Sequence, residues 1–182
     1  MTTPNVYLLF FPKQLHFLDS TAPVRGFVGG QGSGKTTVGT WDLLKRVKAD
    51  RHYAVIAPTY PMLRDATFVT FRQVAEKTGR WIRWNRTEFK VDVYCEGGGQ
   101  AEILFRSGDN PDSLRGPNLS GIWLDEASLL AHEAFQIASA RLREAGEAGW
   151  LSATFTPKGL GHWTFDVFGR EQSGTDLFQA RT

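Results

Sequence analysis

The sequence has little cysteine, little excess charge of either sign and no long apolar run. Cys95 is the single cysteine among 182 residues, so no disulfide can form within the chain, which suits a reducing compartment. One cysteine and four scattered histidines also leave almost no ligands for a structural zinc site. Lys and Arg number 21 and Asp and Glu 19, a net charge of +2, so a surface for nucleic acid would have to be local.

The apolar stretch near the N-terminus does not read as a targeting or membrane segment. It runs only from Val6 to Phe11 and lacks a basic leader, which makes it too short for a signal peptide or a membrane span. We therefore expect a soluble, cytoplasmic protein with no membrane partner. The apolar fraction of 41% is sufficient for the core of one domain, which we take to cover residues 1–182.

Apolar runs that alternate with helical patterns predict an α/β protein. Buried strands are predicted at residues 25–29, 53–57, 121–125 and 150–155. Helices are predicted at residues 35–48, 61–78 and 131–142, and in the C-terminal remainder from Trp163 to Phe168, while residues 13–20 are predicted as a short helix or a turn. Residues 81–94 alternate like an antiparallel strand, and a turn at Gly97–Gly99 leads into a partner strand at 101–105. The pattern predicts a mainly parallel sheet with an added antiparallel hairpin.

A complete phosphate-binding motif follows the first predicted strand. Residues 29–36 fit the pattern G-x-x-x-x-G-K-[ST] in full, between a strand and a helix. Glycines let the backbone wrap around phosphates, Lys35 supplies a point charge for the β- and γ-phosphates, and the Thr36 hydroxyl ligates Mg²⁺. The alternative is an ordinary glycine turn with a surface lysine. The candidate nucleotide-binding residues here are Gly29, Gly30, Gln31, Gly32, Ser33, Gly34, Lys35, Thr36 and Thr37.

A second motif, Ile122 to Glu126, ends an apolar strand in two acids. Paired carboxylates repel each other and are poorly desolvated, so their position needs a reason, and a Mg²⁺ ion beside Lys35 supplies it. Asp125 would hold the metal, and Glu126 would act as general base on the attacking water. The alternative is that Asp125 caps the helix that follows. Because Glu126 follows Asp125 directly, the pattern favours a water-activating ATPase over a kinase.

Together these motifs resemble the ATPase domain of phage large terminase subunits, the motors that package viral DNA. The match covers nearly the full chain, and the motifs come in the family's order. The resemblance implies a P-loop fold of the ASCE class, RecA-like, as a three-layer sandwich with an extra strand between the P-loop strand and the Asp125 strand. The long stretch between Lys35 and Asp125, which contains the Tyr53 strand, suits that class. The resemblance also implies ATP and Mg²⁺ as cofactors.

Two short segments extend the resemblance towards the nucleotide. Pro12–Leu15 looks like the family's adenine-recognising segment, so Gln14 would read the adenine edge with its amide, or else be a surface glutamine. Ala57–Tyr60 looks like the family's next motif. Tyr60 would pack near the nucleotide or on the DNA-facing side, or else in the core.

Two later segments carry the remaining roles that the resemblance implies. Pro111–Gly116 is similar to the segment with the family's trans-acting arginine finger, which makes Arg115 a catalytic candidate at a neighbouring subunit's γ-phosphate. The alternative is that Arg115 pairs with Asp109 or Asp112 in its own loop. Residues 152–154 look like the coupling motif, in which Thr154 or Thr156 would sense the γ-phosphate, unless these hydroxyls only cap a helix. The candidate coupling residues are Ser152, Ala153 and Thr154.

The chain departs from the family's pattern in two ways. Many members carry an arginine inside the phosphate loop, where this chain has Gly30, Gln31 and Gly32, and Arg25 is a weak substitute. The family also has a C-terminal RNase H-like nuclease domain, whose metal-binding acids nothing here supplies. We therefore expect an isolated ATPase domain or a truncated form without nuclease activity.

The expected function is Mg²⁺-dependent ATP hydrolysis coupled to translocation of double-stranded DNA into a procapsid, in the cytoplasm of an infected host cell. Contacts to DNA would go to phosphates, independently of sequence. The expected partners are a portal protein, a small terminase subunit and further copies of the chain in a ring, although the isolated domain could be monomeric. The rival interpretations are a helicase-like nucleic-acid remodelling ATPase and a slow nucleotide switch.

Overall fold

The computed structural model describes residues 8–116, 118–170 and 172–180, so the first two residues of the apolar stretch at 6–11 lie outside it. The strands are β1 (Val24–Val28), β2 (His52–Ala57), β3 (Trp81–Asn85), β4 (Lys90–Tyr94), β5 (Gln100–Ser107), β6 (Gly121–Asp125), β7 (Trp150–Phe155) and β8 (Thr175–Gln179). They form one sheet in the order β3-β4-β5-β2-β6-β7-β1-β8. β4 runs antiparallel to β3 and β5, and the other neighbouring pairs are parallel. The predicted mainly parallel sheet with an antiparallel addition is confirmed.

The helices are α1 (Pro12–Asp19), α2 (Lys35–Arg46), α3 (Tyr60–Met62), α4 (Phe68–Lys77) and α5 (His132–Ser139). A π-helical turn at Leu63–Thr67 joins α3 to α4, so the helix predicted at 61–78 is one helical segment with a widened turn. A second π-helical turn lies at Phe165–Gly169. In the part of the chain that the structure describes, no helix is long and apolar enough to cross a bilayer.

Successive side chains of a strand cover opposite faces of the sheet, and helices pack on both faces, which gives three layers. In β2, Tyr53 and Val55 belong to the apolar cluster that includes Leu43 of α2 and Phe71 of α4. The intervening Ala54 belongs to the cluster on the other face, with residues of α5 and the second π turn. This period of two follows from the pleat of a strand that is buried on both sides. The predicted three-layer sandwich is therefore confirmed.

β7 is the strand that lies between the P-loop strand β1 and the acid-bearing strand β6. The ASCE arrangement predicted from the resemblance is thus present. The Tyr53 strand, β2, whose stretch suggested this class from the sequence, lies on the far side of β6 and is not the inserted strand. Sequence order does not reveal this, since β7 comes after β6 in the chain and is inserted between β6 and β1 only in space.

Other differences from the predicted elements have local causes. The alternating stretch at 81–94 is two strands, because the Asn85 side chain accepts hydrogen bonds from the backbone N–H groups of Thr87 and Glu88 and starts a turn. The helix predicted to run to residue 142 ends at Ser139. The C-terminal remainder, predicted as helix, has helical turns only before residue 170 and continues into β8. β8 is a half-exposed strand that pairs with β1, so its apolar pattern is weak.

Candidate active site

The phosphate-loop motif connects β1 to α2, as its pattern predicts. Gly34 begins the helix with φ +74°, a left-handed conformation that favours glycine, and a Cβ at this position would lie 2.9 Å from Gln14 Nε2. The backbone N–H groups of Lys35, Thr36 and Thr37 belong to the first turn of α2 and have no acceptor within the helix. These N–H groups and the positive end of the helix dipole make the loop a site for an anion.

Lys35 joins the phosphate loop to the acid pair. Its side chain is 6% exposed, and its ammonium group donates to the carbonyl oxygen of Gly30 at 3.0 Å and lies 3.5 Å from Oε1 of Glu126. An ion pair therefore joins the phosphate loop to the acid pair, although Lys35 and Glu126 are 91 positions apart in sequence. The same Gly30 carbonyl accepts from the Ser33 hydroxyl at 2.8 Å, which fixes the loop around the lysine.

Asp125 is buried within a shell of threonine hydroxyls. Thr67 donates to Oδ2 at 2.8 Å, Thr154 donates to Oδ1 at 2.9 Å, and Thr36 Oγ1 lies 3.3 Å from both oxygens. Burial raises the pKa of Asp125 to about 6, while the hydrogen bonds from Thr67 and Thr154 oppose that rise and the charge of Glu126 adds to it. Asp125 makes no helix cap, since the short helix that follows has Glu126 at its cap position.

Glu126 differs from Asp125 in its surroundings although the two are adjacent. Its backbone adopts φ +48° and ψ +46°, a left-handed conformation that costs a residue with a Cβ on the order of 1 kcal/mol. The Glu126 side chain is 27% exposed, whereas Asp125 is 2% exposed. Strained backbone of this kind is concentrated at functional sites. The turn separates the two carboxylates, so that one is buried and the other reaches Lys35 and solvent.

The donor set around Thr36 fits a hard divalent cation. The hydrogen bonds that Asp125 accepts come from uncharged hydroxyls, so its buried negative charge is favoured by an added cation. A hydroxyl and a carboxylate are the oxygen ligands that Mg²⁺ uses together with phosphate oxygens of a substrate. Thr36 and Asp125 are therefore suited to holding Mg²⁺.

A cavity of about 550 Å³ lies beside the phosphate loop. Gln14 is buried at its wall, donates from Nε2 to the carbonyl oxygen of Ser33 at 3.0 Å and accepts from the backbone N–H of Phe11 at 2.9 Å. The alternative of a surface glutamine is therefore wrong. The lining residues are Phe11, Pro12, Lys13, Gln14, Gln31, Gly32, Ser33 and Ala180.

The three predicted coupling residues separate in the structure. Thr154 accepts from Trp123 Nε1 at 2.9 Å and donates to Asp125, so it is part of the site. Ser152 lies on the same face of β7 but bonds to Asp42 of α2, and Ala153 is buried in the cluster on the opposite face. Thr156 follows the end of β7 and is exposed.

Arg25 does not substitute for an arginine in the phosphate loop. It is fully buried, and its Nη2 lies 3.0 Å from Asp42 Oδ2 and 3.0 Å from the Ser152 hydroxyl. Burial lowers the pKa of Arg25, while the charge of Asp42 raises it. Arg25 lies near the start of β1 and faces α2 and β7, so its hydrogen bonds link β1 to those two elements.

Arg115 and Tyr60 lie on the surface. Arg115 is 58% exposed and pairs with Asp112 at 3.0 Å, which is the contact that the alternative interpretation predicts for a single chain. A role in a neighbouring subunit stays a prediction. The Tyr60 ring is half-exposed at 5.7 Å from the Phe89 ring, at the turn between β3 and β4, so neither the core nor the phosphate loop holds it.

Sequence reasoning missed Thr67 and Asp42. Thr67 lies within a predicted helix and Asp42 within another, where a threonine or an aspartate is ordinarily a solvent-facing residue. The buried polar positions become visible only when the helices are packed on the sheet. A signal was present only for Asp42, because it lies four residues after Val38 and therefore interrupts the apolar face of the predicted helix.

Comparison with known proteins places these motifs among viral proteins. The phage terminase large subunit family matches residues 23–181. The PBSX phage terminase large subunit of Bacillus subtilis (strain 168) is 29% identical over 164 residues, which cover 85% of this chain and 37% of that protein. The chain thus spans little more than a third of that relative.

Solved structures of large terminases share the fold. The large terminase of a thermophilic bacteriophage has a TM-score of 0.82 at 19% identity, over 95% of this chain and 45% of that chain. The same terminase in complex with ATP-gamma-S has a TM-score of 0.80, at 19% identity over 94% of this chain and 44% of that chain. The large terminase ATPase domain of Thermus phage P74-26 has a TM-score of 0.76 at 22% identity, over 94% of this chain and 81% of that chain.

Proposed function

The chain belongs to the phage terminase large subunit family, and on that premise we propose that it hydrolyses ATP as part of a motor that moves double-stranded DNA into a procapsid. One observation carries the catalytic part of this proposal. Lys35 of the phosphate loop lies 3.5 Å from Glu126, while Thr36 of the same loop lies 3.3 Å from Asp125. The residues needed to bind a triphosphate and to activate water therefore meet at one place.

ATP binds with its phosphates along the backbone N–H groups of residues 30–36 and its base in the adjoining cavity. Phe11 and Gln14 line that cavity, and they offer an aromatic face for stacking and an amide for the adenine edge. Gln14 also holds the carbonyl oxygen of Ser33, so contact with the base and the shape of the phosphate loop depend on one side chain. The related terminase structure with ATP-gamma-S supports a nucleotide in this fold.

Hydrolysis proceeds by attack of water on the γ-phosphorus, which gives ADP and phosphate. Mg²⁺, held by Thr36 and Asp125 when bound, neutralises negative charge on the phosphate oxygens. Glu126 accepts the proton of the attacking water. A bound γ-phosphate offers Lys35 a stronger anionic partner than Glu126, so arrival of ATP frees the carboxylate to orient water.

Coupling and assembly belong to the same proposal. Thr154 responds to loss of the γ-phosphate through Asp125, and Arg115 acts at the site of a neighbouring copy in a ring. DNA is held through its phosphates, and a portal protein and a small terminase subunit complete the assembly in the infected cell's cytoplasm. The exposed position of Arg115 supports action between subunits. Its partner Asp112 is itself 87% exposed, and an exposed ion pair costs little to break when Arg115 meets another anion.

The test is ATP turnover with and without linear double-stranded DNA. We expect DNA-stimulated turnover in the wild type and loss of at least about a hundredfold in Glu126→Gln, which retains ATP binding because the loop is intact. Glu133→Gln removes an exposed acid on α5 and should match the wild type. Turnover retained in Glu126→Gln would remove Glu126 as the base, and turnover indifferent to DNA would count against the motor.

A further inference from the structure

Thr67 makes the shortest hydrogen bond that Asp125 accepts. Its hydroxyl donates to Oδ2 at 2.8 Å, and the side chain is 2% exposed. Thr67 comes from neither the phosphate loop, nor the acid pair, nor β7. A fourth element, the segment between α3 and α4, therefore reaches the carboxylate.

The π-helical turn explains how Thr67 reaches the site. The backbone N–H of Phe68 bonds to the carbonyl oxygen of Leu63, five residues back, which widens the turn. Thr67 and Phe68 are consequently both buried although they are adjacent, with Phe68 packed 4.4 Å from the Trp84 ring and Thr67 on Asp125. π turns are rare and occur frequently at functional sites.

The three hydroxyls around Asp125 are not equivalent. Thr67 holds Oδ2 and Thr154 holds Oδ1, so the carboxylate is fixed from both sides, whereas Thr36 lies 3.3 Å from both oxygens and holds neither closely. Each carboxylate oxygen has two lone pairs, so a hydroxyl on each leaves one direction per oxygen for another ligand. Removing the Thr67 hydroxyl would leave Oδ2 free to rotate about the contact with Thr154.

We propose that Thr67 is a positioning residue that sets the orientation of the Asp125 carboxylate for a divalent cation. This inference rests on the proposed function, because it concerns the cation that accompanies the nucleotide. Groups that orient metal ligands in this way typically change metal affinity by about 10- to 100-fold when they are removed. Among the described residues of the site the Thr67 hydroxyl bonds to Asp125, so we expect its effect to act through the cation that Asp125 holds.

The experiment measures binding of ATP-gamma-S to the intact chain at increasing MgCl₂, which needs no turnover. Thr67→Val keeps the side-chain shape without the hydroxyl. We expect this substitution to raise, by about 10-fold or more, the Mg²⁺ concentration at which the increase in ATP-gamma-S affinity is half complete. The affinity for ATP-gamma-S without metal should be unchanged. Thr67→Ser keeps the hydroxyl and should retain the wild-type Mg²⁺ dependence. Thr164→Val removes a buried hydroxyl that bonds to His162 instead, and it controls for the loss of a buried hydrogen bond.

The outcomes separate the two proposals. A wild-type Mg²⁺ dependence in folded Thr67→Val overturns the role of Thr67 and leaves the ATPase proposal in place. A shift of about 10-fold or more in Thr67→Ser also overturns it, because serine keeps the hydroxyl, and this outcome does not require the valine variant to fold. Absence of any ATP-gamma-S binding by the wild type removes the proposed function, and the role of Thr67 with it.

Discussion

Gly39 of α2 lies directly against the indole ring of Trp123 of β6. A Cβ at Gly39 would lie 2.4 Å from Cε2 and Nε1 of that ring, a distance that no packed side chain tolerates. Trp123 is fully buried and donates from Nε1 to Thr154, which in turn bonds to Asp125. The helix that begins at the phosphate loop therefore packs on the residue that orients Thr154.

This contact predicts that Gly39→Ala destabilises the fold. Alanine would ordinarily gain about 1 kcal/mol in a helix interior. Here the clash with a fully buried, hydrogen-bonded ring outweighs that gain, and we expect a net loss of about 1–3 kcal/mol in the free energy of unfolding. Gly97→Ala is the control, because nothing lies within 4 Å of its added Cβ. Urea unfolding measures the stability of both variants. A Gly39→Ala variant as stable as the wild type, or more stable, would contradict the packing described.

The buried pair of Arg25 and Asp42 predicts a large cost when only its anionic half is removed. Both side chains are fully buried, and Ser152 bonds to each. Asp42→Asn leaves Arg25 charged and uncompensated, so we expect a loss of about 3–5 kcal/mol in the free energy of unfolding.

The matched control for Asp42→Asn is Asp19→Asn. Asp19 also pairs with a cation, Lys45 at 3.3 Å, but it is 73% exposed, so its loss should cost less than about 1 kcal/mol. Chemical denaturation compares the two variants under one condition. Equal costs for the two would mean that the Arg25–Asp42 pair is not held away from water.

The burial of Asp125 predicts that the carboxylate needed for ATP turnover lowers the free energy of unfolding. Its pKa is raised from 3.8 to about 6 in the folded state, chiefly by burial, so the ionised carboxylate destabilises the metal-free fold. The folded state binds the proton more tightly than the unfolded state, and this contribution to stability is lost as pH rises from about 4 to 6. Asp125→Asn, which cannot ionise, should therefore be more stable than the wild type above pH 6, by on the order of 2–3 kcal/mol.

The measurement is unfolding in EDTA at several pH values. The advantage of Asp125→Asn should be small at pH 4, reach about half its full size at pH 5 and be nearly complete by pH 7, while ATP turnover is lost throughout. Asp109→Asn changes an exposed carboxylate and should follow the wild type at every pH. Glu126 and its partner Lys35 are the charged groups beside Asp125, and both variants retain them. A destabilised Asp125→Asn at pH 7 would refute the account.

Arg115 predicts complementation between two inactive variants. Arg115→Ala retains a complete phosphate loop but lacks the proposed finger, and Lys35→Ala retains the finger but cannot hold the triphosphate. A mixture should recover ATP turnover, because Arg115 of one copy would act at the loop of another. Arg170→Ala, which also removes an exposed arginine paired with an aspartate, should stay fully active alone. Normal turnover in Arg115→Ala would eliminate the finger.

The parts of this site that sequence predicted are those set by short stretches of chain. Residues 29–36 need only the glycines, the lysine and the hydroxyl at fixed spacing, and Asp125 with Glu126 needs only an apolar strand before it. Thr67 and Asp42 were not predictable in this way. Thr67 meets Asp125 across 58 positions, once the α4 segment packs on the sheet, and Arg25 meets Ser152 across 127, once β7 pairs with β1.

The pairing of Lys35 with Glu126 gives the phosphate loop an internal competitor for anions. A small anion such as chloride meets an ammonium group whose charge is already matched by a carboxylate, and it gains little by approaching. A polyphosphate offsets the loss of that pair with many contacts along the loop. We therefore expect the loop to favour polyphosphates over small anions, because Glu126 competes with any anion for Lys35.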